Sequence, residues 1–135
     1  MIVDPPAAIS STILIVDDST RYRTQMRHMV DKNCPWVLVY EAENTAGALR
    51  LVADIRPQLV FADVVLGDES GIDCARQIKV LAPATPIVLI SAYPDYEFRR
   101  AGRDAGVDAF IDKKDLNAVT MRAIIAALIG RNPLE

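Results

Sequence analysis

Two runs of β-branched and apolar residues in this chain stop on aspartate, and no other feature constrains the fold as much. Ile13-Leu14-Ile15-Val16 leads into Asp17-Asp18, and Leu59-Val60-Phe61-Ala62 leads into Asp63. Short unbroken apolar runs suit strands buried on both faces, the habit of parallel sheets. In an open α/β sheet the ligand crevice lies beyond the carboxyl ends of the strands. Asp17, Asp18 and Asp63 are therefore expected to meet at one end of one sheet. Like charges about 4 Å apart repel by roughly 4 kcal/mol at an effective dielectric of about 20. Such a cluster needs a proton or a cation among its members. With oxygen ligands alone, the cation that fits is Mg²⁺, or Mn²⁺ in its place.

The later strand ends add a hydroxyl and an ammonium. Pro86-Ile87-Val88-Leu89-Ile90 ends at Ser91, and Val107-Asp108-Ala109-Phe110-Ile111-Asp112 ends at Lys113. A carboxylate, a hydroxyl donor, a lysine and a divalent cation together suit a transferring phosphoryl group, whose oxygens must be neutralised and held. Taken singly, each of these residues has a plainer reading, because aspartate at a strand end is most often a turn or cap residue. Their joint order is the signal.

The rest of the chain reads as five strand-then-helix units. Residues 1–11 read as a disordered lead-in, 12–130 as one domain, and 131–135 as a tail or an appended remnant. Ser19 or Asp18 caps helix one, whose apolar stripe is Tyr22, Met26, Met29 and Val30. Val37 to Tyr40 is strand two. Asn44 caps helix two, with Leu49, Val52 and Ala53 inward, and Pro57 stops it. A loop with Gly67 and Gly71 leads to helix three, which turns Ile72, Ala75 and Ile78 inward. Helix four runs from about Asp95 to Ala105 with Phe98, Ala101, Gly102 and Ala105 as its stripe, and Gly106 ends it. Asp115 opens helix five, with Leu116, Val119, Ala123 and Leu128 among its apolar residues.

Bulk properties narrow the class. The chain has 135 residues, enough for one domain with its own core, and its net charge of −3 argues against nucleic-acid contacts. Cys34 and Cys74 have neither metal spacing nor a disulfide framework, and one histidine cannot complete a zinc site with them. No run approaches the ~18 apolar residues of a membrane span. The cytoplasm is the expected compartment. His28 reads as a surface residue, Trp36 as packing at the start of strand two, and Arg99-Arg100-Arg103 as a solvated face.

With these residues in view, the chain resembles the receiver domain of two-component response regulators over about Ile13 to Leu128. The matching positions are Asp17-Asp18, Asp63 with Gly71 eight residues on, Ser91-Ala92 and Lys113. Asp18 and Asp63 stand 45 residues apart, Asp63 and Ser91 28, and Ser91 and Lys113 22. The resemblance implies a flavodoxin-like doubly wound α/β fold, (βα)5, with parallel strand order 2-1-3-4-5. It implies that Asp63 accepts a phosphoryl group from the phosphohistidine of a sensor histidine kinase or phosphotransfer protein. Asp17, Asp18, Asp63 and the Val65 carbonyl would hold the metal. Ser91 would bond a phosphoryl oxygen, and Lys113 would pair with the phosphoryl group or, before it arrives, with Asp63. Ser91 and Phe110 would form the switch, and the face of helix four, strand five and helix five would meet a second copy or an effector. Such a protein catalyses its own phosphorylation and dephosphorylation and turns over no separate substrate.

Three positions depart from the family pattern. Gly67 replaces the usual proline four residues after the acceptor and should loosen that loop. Lys114 replaces the usual proline after the lysine, so the Lys113–Lys114 peptide should be trans. Phe110 replaces the frequent tyrosine and lacks its hydroxyl. A flavodoxin-like electron carrier is the rival of like fold, but Asp17-Asp18-Ser19-Thr20 would repel the phosphate that a flavin brings. An aspartyl-phosphate phosphatase would need a second aspartate two residues past the nucleophile, where Val65 stands. A receiver that is never phosphorylated is the third alternative.

Overall fold

The structure, a computed structural model, describes residues 11–93 and 95–130. Residues 1–10 of the expected lead-in and the tail over 131–135 lie outside the described residues. A five-stranded parallel sheet forms the middle layer. Counting only the strands of this sheet, they are β1 (Ser11–Val16), β2 (Val37–Ala42), β3 (Leu59–Asp63), β4 (Ile87–Ser91) and β5 (Ala109–Asp112). They lie in the order 2-1-3-4-5, as expected. Ser11, assigned above to the lead-in, is the first residue of β1 and is buried.

Five helices cover the two faces: α1 (Thr20–Asn33), α2 (Thr45–Ile55), α3 (Gly71–Leu81), α4 (Tyr96–Asp104) and α5 (Ala118–Leu128). Alternation along the strands divides the core in two. Ile13, Ile15, Phe61, Val88 and Ile90 pack with Met26 and Val30 of α1 and Met121 and Ile125 of α5. Leu14, Val16, Val60, Ala62, Ile87 and Leu89 pack with α2 and α3 on the other face. β3 is buried along its whole length. Each of its large apolar side chains contributes roughly 1.5–3 kcal/mol by leaving water, so this strand anchors the sheet.

Most caps form where the local chemistry places them. Ser19, Asn44 and Asp95 accept backbone N–H groups at the starts of α1, α2 and α4. Gly106 follows α4 in a left-handed conformation at φ 89. Helix five differs. Lys113–Asp115 is a short 3₁₀ turn, and the cap is Asn117, not Asp115. Asn117 Oδ1 accepts from both Val119 and Thr120 N–H, while Thr120 Oγ1 accepts from Asn117 N–H at 2.9 Å. This reciprocal pair satisfies three free donors at once, and Asp115 has no such partner. The helix therefore turns Met121 and Ile125 inward and leaves Val119 and Ala123 exposed. Ala53 of α2 is exposed too, because the buried line of that helix runs through Ala48 and Val52 one turn apart. Val107 precedes β5 instead of belonging to it, since its N–H turns back to the Gly102 carbonyl.

Gly67 does not open a loose loop. Val65–Leu66 and Glu69–Ser70 pair as a two-residue hairpin, and Gly67 takes the first position of its turn at φ 62. Glycine at that position suits a tight hairpin turn. His28 is exposed and Trp36 is buried at the turn into β2, both as expected.

Candidate functional site

Strand register places the site. Val16 pairs with Ala62, so Asp17 and Asp63 end neighbouring strands at one level. Asp63 pairs with Ile90, and Ser91 with Asp112. Ser91 and Lys113 therefore rise from the next two strand ends. One local device repeats at four of these ends. Asp17 Oδ1 accepts the Ser19 N–H at 2.8 Å and Asp63 Oδ1 the Val65 N–H at 2.9 Å. Ser91 Oγ accepts the Tyr93 N–H at 3.1 Å, and Asp112 Oδ1 the Lys114 N–H at 3.1 Å. A short polar side chain that bonds its own backbone two residues on stops the strand and starts a turn.

In Asp17 and Asp63 this leaves Oδ2 for Lys113. Its Nζ stands 2.7 Å from Asp63 Oδ2 and 3.6 Å from Asp17 Oδ2, so one ammonium bridges the two acids. Asp17 is 2% exposed. Burial, with the Asp63 charge adding to it, pushes the Asp17 carboxyl up to about 6, against the opposing Ser19 N–H and Lys113 charge. Burial by itself would lower the Lys113 ammonium. The bond to Asp63 and the charges of Asp63 and Asp17 outweigh it and hold the group above its ordinary value.

Asp18 stands apart from this pair. It is exposed at the rim and faces the hairpin turn, where a β-carbon on Gly67 would lie 3.7 Å from its Oδ2. The expectation that three carboxylates meet is thus realised for Asp17 and Asp63, with Asp18 at the lip of the same crevice. Among the described residues no three Asp, Glu, His or Cys groups are already gathered as a ligand set. Asp18 stands at the rim, and Lys113 bridges the two inner acids. The donor chemistry still fits Mg²⁺: every available group is a hard oxygen, and Mg²⁺ keeps several waters and needs few protein ligands. Val65, whose carbonyl is the fourth expected oxygen, opens the hairpin directly after Asp63 and Val64.

Ser91 is buried, and Phe110 is half-buried on the same face of the sheet, because Leu89 pairs with Phe110 and Ser91 with Asp112. Arg99, Arg100 and Arg103 are exposed, as expected, and the Arg99 guanidinium also lies over the Phe110 ring, 5.0 Å from its centre. The Lys113–Lys114 peptide is trans, as are all peptide bonds among the described residues.

Two site residues were not legible in the sequence as such. Tyr22 reads there only as part of a helix stripe, yet its ring lies 4.0 Å from Lys113 Nζ. Arg23 donates to the Asp17 carbonyl at 2.5 Å and to Glu41 Oε1 at 2.9 Å, tying the end of β1 to β2. Burial would raise the Glu41 carboxyl, but the Arg27 and Arg23 guanidiniums hold it below its ordinary value. An aromatic and an arginine in the first helical turn after an acid pair are the only signal for either, and a weak one.

The model of the response regulator receiver domain matches residues 13–126. Response regulator MprA of Mycobacterium ulcerans is 30% identical over 94% of this chain, a match that covers 53% of that protein. The chain spans about half the length of such curated relatives. A two-component response regulator of the LuxR family from Aurantimonas sp. superposes with TM-score 0.80 at 28% identity, covering 90% of this chain and 87% of that one. A Burkholderia pseudomallei response regulator protein with a phosphorylated aspartic acid, calcium ion and citrate superposes with TM-score 0.77 at 22% identity, over 88% of this chain and 66% of that one.

Proposed function

Because this chain belongs to the response regulator receiver domain family, we propose that Asp63 is its phosphoacceptor and takes the phosphoryl group from a phosphohistidine of a sensor histidine kinase or phosphotransfer protein. A carboxylate oxygen of Asp63 forms the new P–O bond as the P–N bond of the phosphohistidine breaks. The observation that carries this reading is the Lys113 ammonium held at 2.7 Å from Asp63. It neutralises the nucleophile's surroundings before transfer and is placed to meet a phosphoryl oxygen after it. Ser91, one strand over, would donate its hydroxyl to another of those oxygens.

Asp17, Asp18, Asp63 and the Val65 carbonyl would hold Mg²⁺ or Mn²⁺. Bound there, the ion supplies charge neutralisation for the phosphoryl oxygens. The exposed Asp18 is the open ligand. The buried Asp17 acts largely by keeping negative charge beneath the site.

The output would pass through α4, β5 and α5. Ser91 and Phe110 share one face of the sheet, and Arg99, Arg103 and Phe110 line a cleft on the outside of α4 and β5 that a second copy or an effector would meet. Among the described residues no helix is long and apolar enough to cross a membrane. We place the chain in the cytoplasm, where a histidine kinase presents its phosphohistidine.

The test is incubation with acetyl phosphate and a divalent cation, read by intact mass. The wild type should gain one phosphoryl group and Asp63→Asn none. Equal uptake by the two proteins overturns the assignment.

A further inference from the structure

Lys113 is a flexible four-carbon side chain that must stay in one place to serve two carboxylates and an incoming phosphoryl group. Asp63 and Asp17 hold its ammonium from one side. On another side lies the ring of Tyr22, 4.0 Å from Nζ. We propose that Tyr22 is a positioning residue for phosphoryl transfer at Asp63, its ring face seating the Lys113 ammonium against the Asp17 and Asp63 carboxylates. This rests on Asp63 being the acceptor.

The placement of Tyr22 is itself tied to the acid pair. Asp17 Oδ1 holds the Ser19 N–H, and Ser19 Oγ accepts the Tyr22 N–H at 3.2 Å. The chain of contacts runs from Asp17 through Ser19 and Tyr22 to Lys113 and returns to Asp17. A shift of the cap would move the ring, and with it the third wall around the ammonium.

The chemistry of an aromatic face suits this position. A third carboxylate would hold the lysine equally well, but it would repel an arriving phosphoryl group. The ring attracts a cation through its quadrupole and carries no net charge. Burial first, and then the Asp17 and Asp63 charges, push the Tyr22 phenol up to about 12, so it stays neutral in use.

The experiment reads both the seat and its consequence. In the wild-type protein the Lys113 Cε methylene protons should be displaced upfield by the ring current. Tyr22→Phe should keep that displacement and Tyr22→Leu lose it. With acetyl phosphate, Tyr22→Leu should be phosphorylated about fivefold more slowly, equivalent to ~1 kcal/mol, and Tyr22→Phe should recover most of the rate. A helix-packing role alone would not produce the upfield displacement of Lys113 in the wild type. Absence of an upfield shift in the wild type overturns the proposal whether or not the leucine variant folds. So does a Tyr22→Leu rate equal to wild type while Asp63→Asn takes up nothing. Uptake by Asp63→Asn equal to wild type would instead overturn the acceptor assignment.

Discussion

The backbone of Gly71 lies against the carbonyl of Asp63, so closely that a β-carbon on Gly71 would stand 1.6 Å from that oxygen. The Gly71 N–H donates to the Val64 carbonyl at 2.7 Å, which binds the start of α3 to the backbone just beyond Asp63. Only a residue without a side chain lets helix and strand end meet this way. Gly71→Ala should therefore destabilise the fold by about 2–4 kcal/mol, since backbone cannot yield as a side-chain tip can. Urea unfolding checks this, and an unchanged midpoint would show that the contact relaxes at no cost.

Asp17 should give the metal-free protein a distinct pH dependence. Its folded pKa of about 6 lies above the ordinary 3.8. Between those values the folded chain keeps a proton that the unfolded chain has released. The contribution of Asp17 is thus fully present below pH ~4 and lost as the pH rises through ~6. The shift sets an upper limit of roughly 3 kcal/mol. Asp17→Asn should gain on the wild type by ~1–3 kcal/mol between pH 4 and pH 6.5 in chelator-treated samples. A constant difference across that range would refute the assignment.

Metal binding should separate the two members of the acid pair. Asp18 is exposed at the rim and free to take a direct place on the ion, whereas Asp17 Oδ1 and Oδ2 already face Ser19 and Lys113. Asp18→Ala should abolish Mg²⁺ binding in a fluorescence or calorimetric titration, and Asp17→Ala should weaken it less. Matching curves for Asp18→Ala and wild type would contradict this.

Helix α4 should open more easily than helix α5. Gly102 is its one buried residue, and Phe98 and Ala101 are half-buried. In α5, Met121 and Ile125 are buried completely. Small side chains bury little apolar area, so local opening of α4 costs less free energy. Its amides should exchange faster than those of α5, and phosphorylation, acting through Ser91 and Phe110, should alter that exchange. Equal protection of both helices before and after phosphorylation would exclude α4 as the moving part.

Much of this protein is set by features that neighbouring residues carry. Unbroken apolar runs ending at Asp17, Asp63 and Ser91 specify buried parallel strands and the end of the sheet where chemistry gathers. Ser19, Asn44 and Asp95 mark helix starts because a cap acts within three residues of itself. Helix five, expected to open at Asp115, is capped by Asn117 instead. The return bond from Thr120 and the packing of Met121 and Ile125 decide between them. Gly71 is visible as a glycine at the right interval, but the backbone it must admit is visible only once α3 is docked. Tyr22 and Lys113 are 91 residues apart in the chain. Their contact depends on the register of the sheet and the setting of α1, and no local periodicity encodes either. The sequence by itself determined which strand-end groups reach the crevice, because strand ends and caps are short-range. Which of those groups touch was decided by tertiary packing, because distance across a folded sheet is independent of distance along the chain.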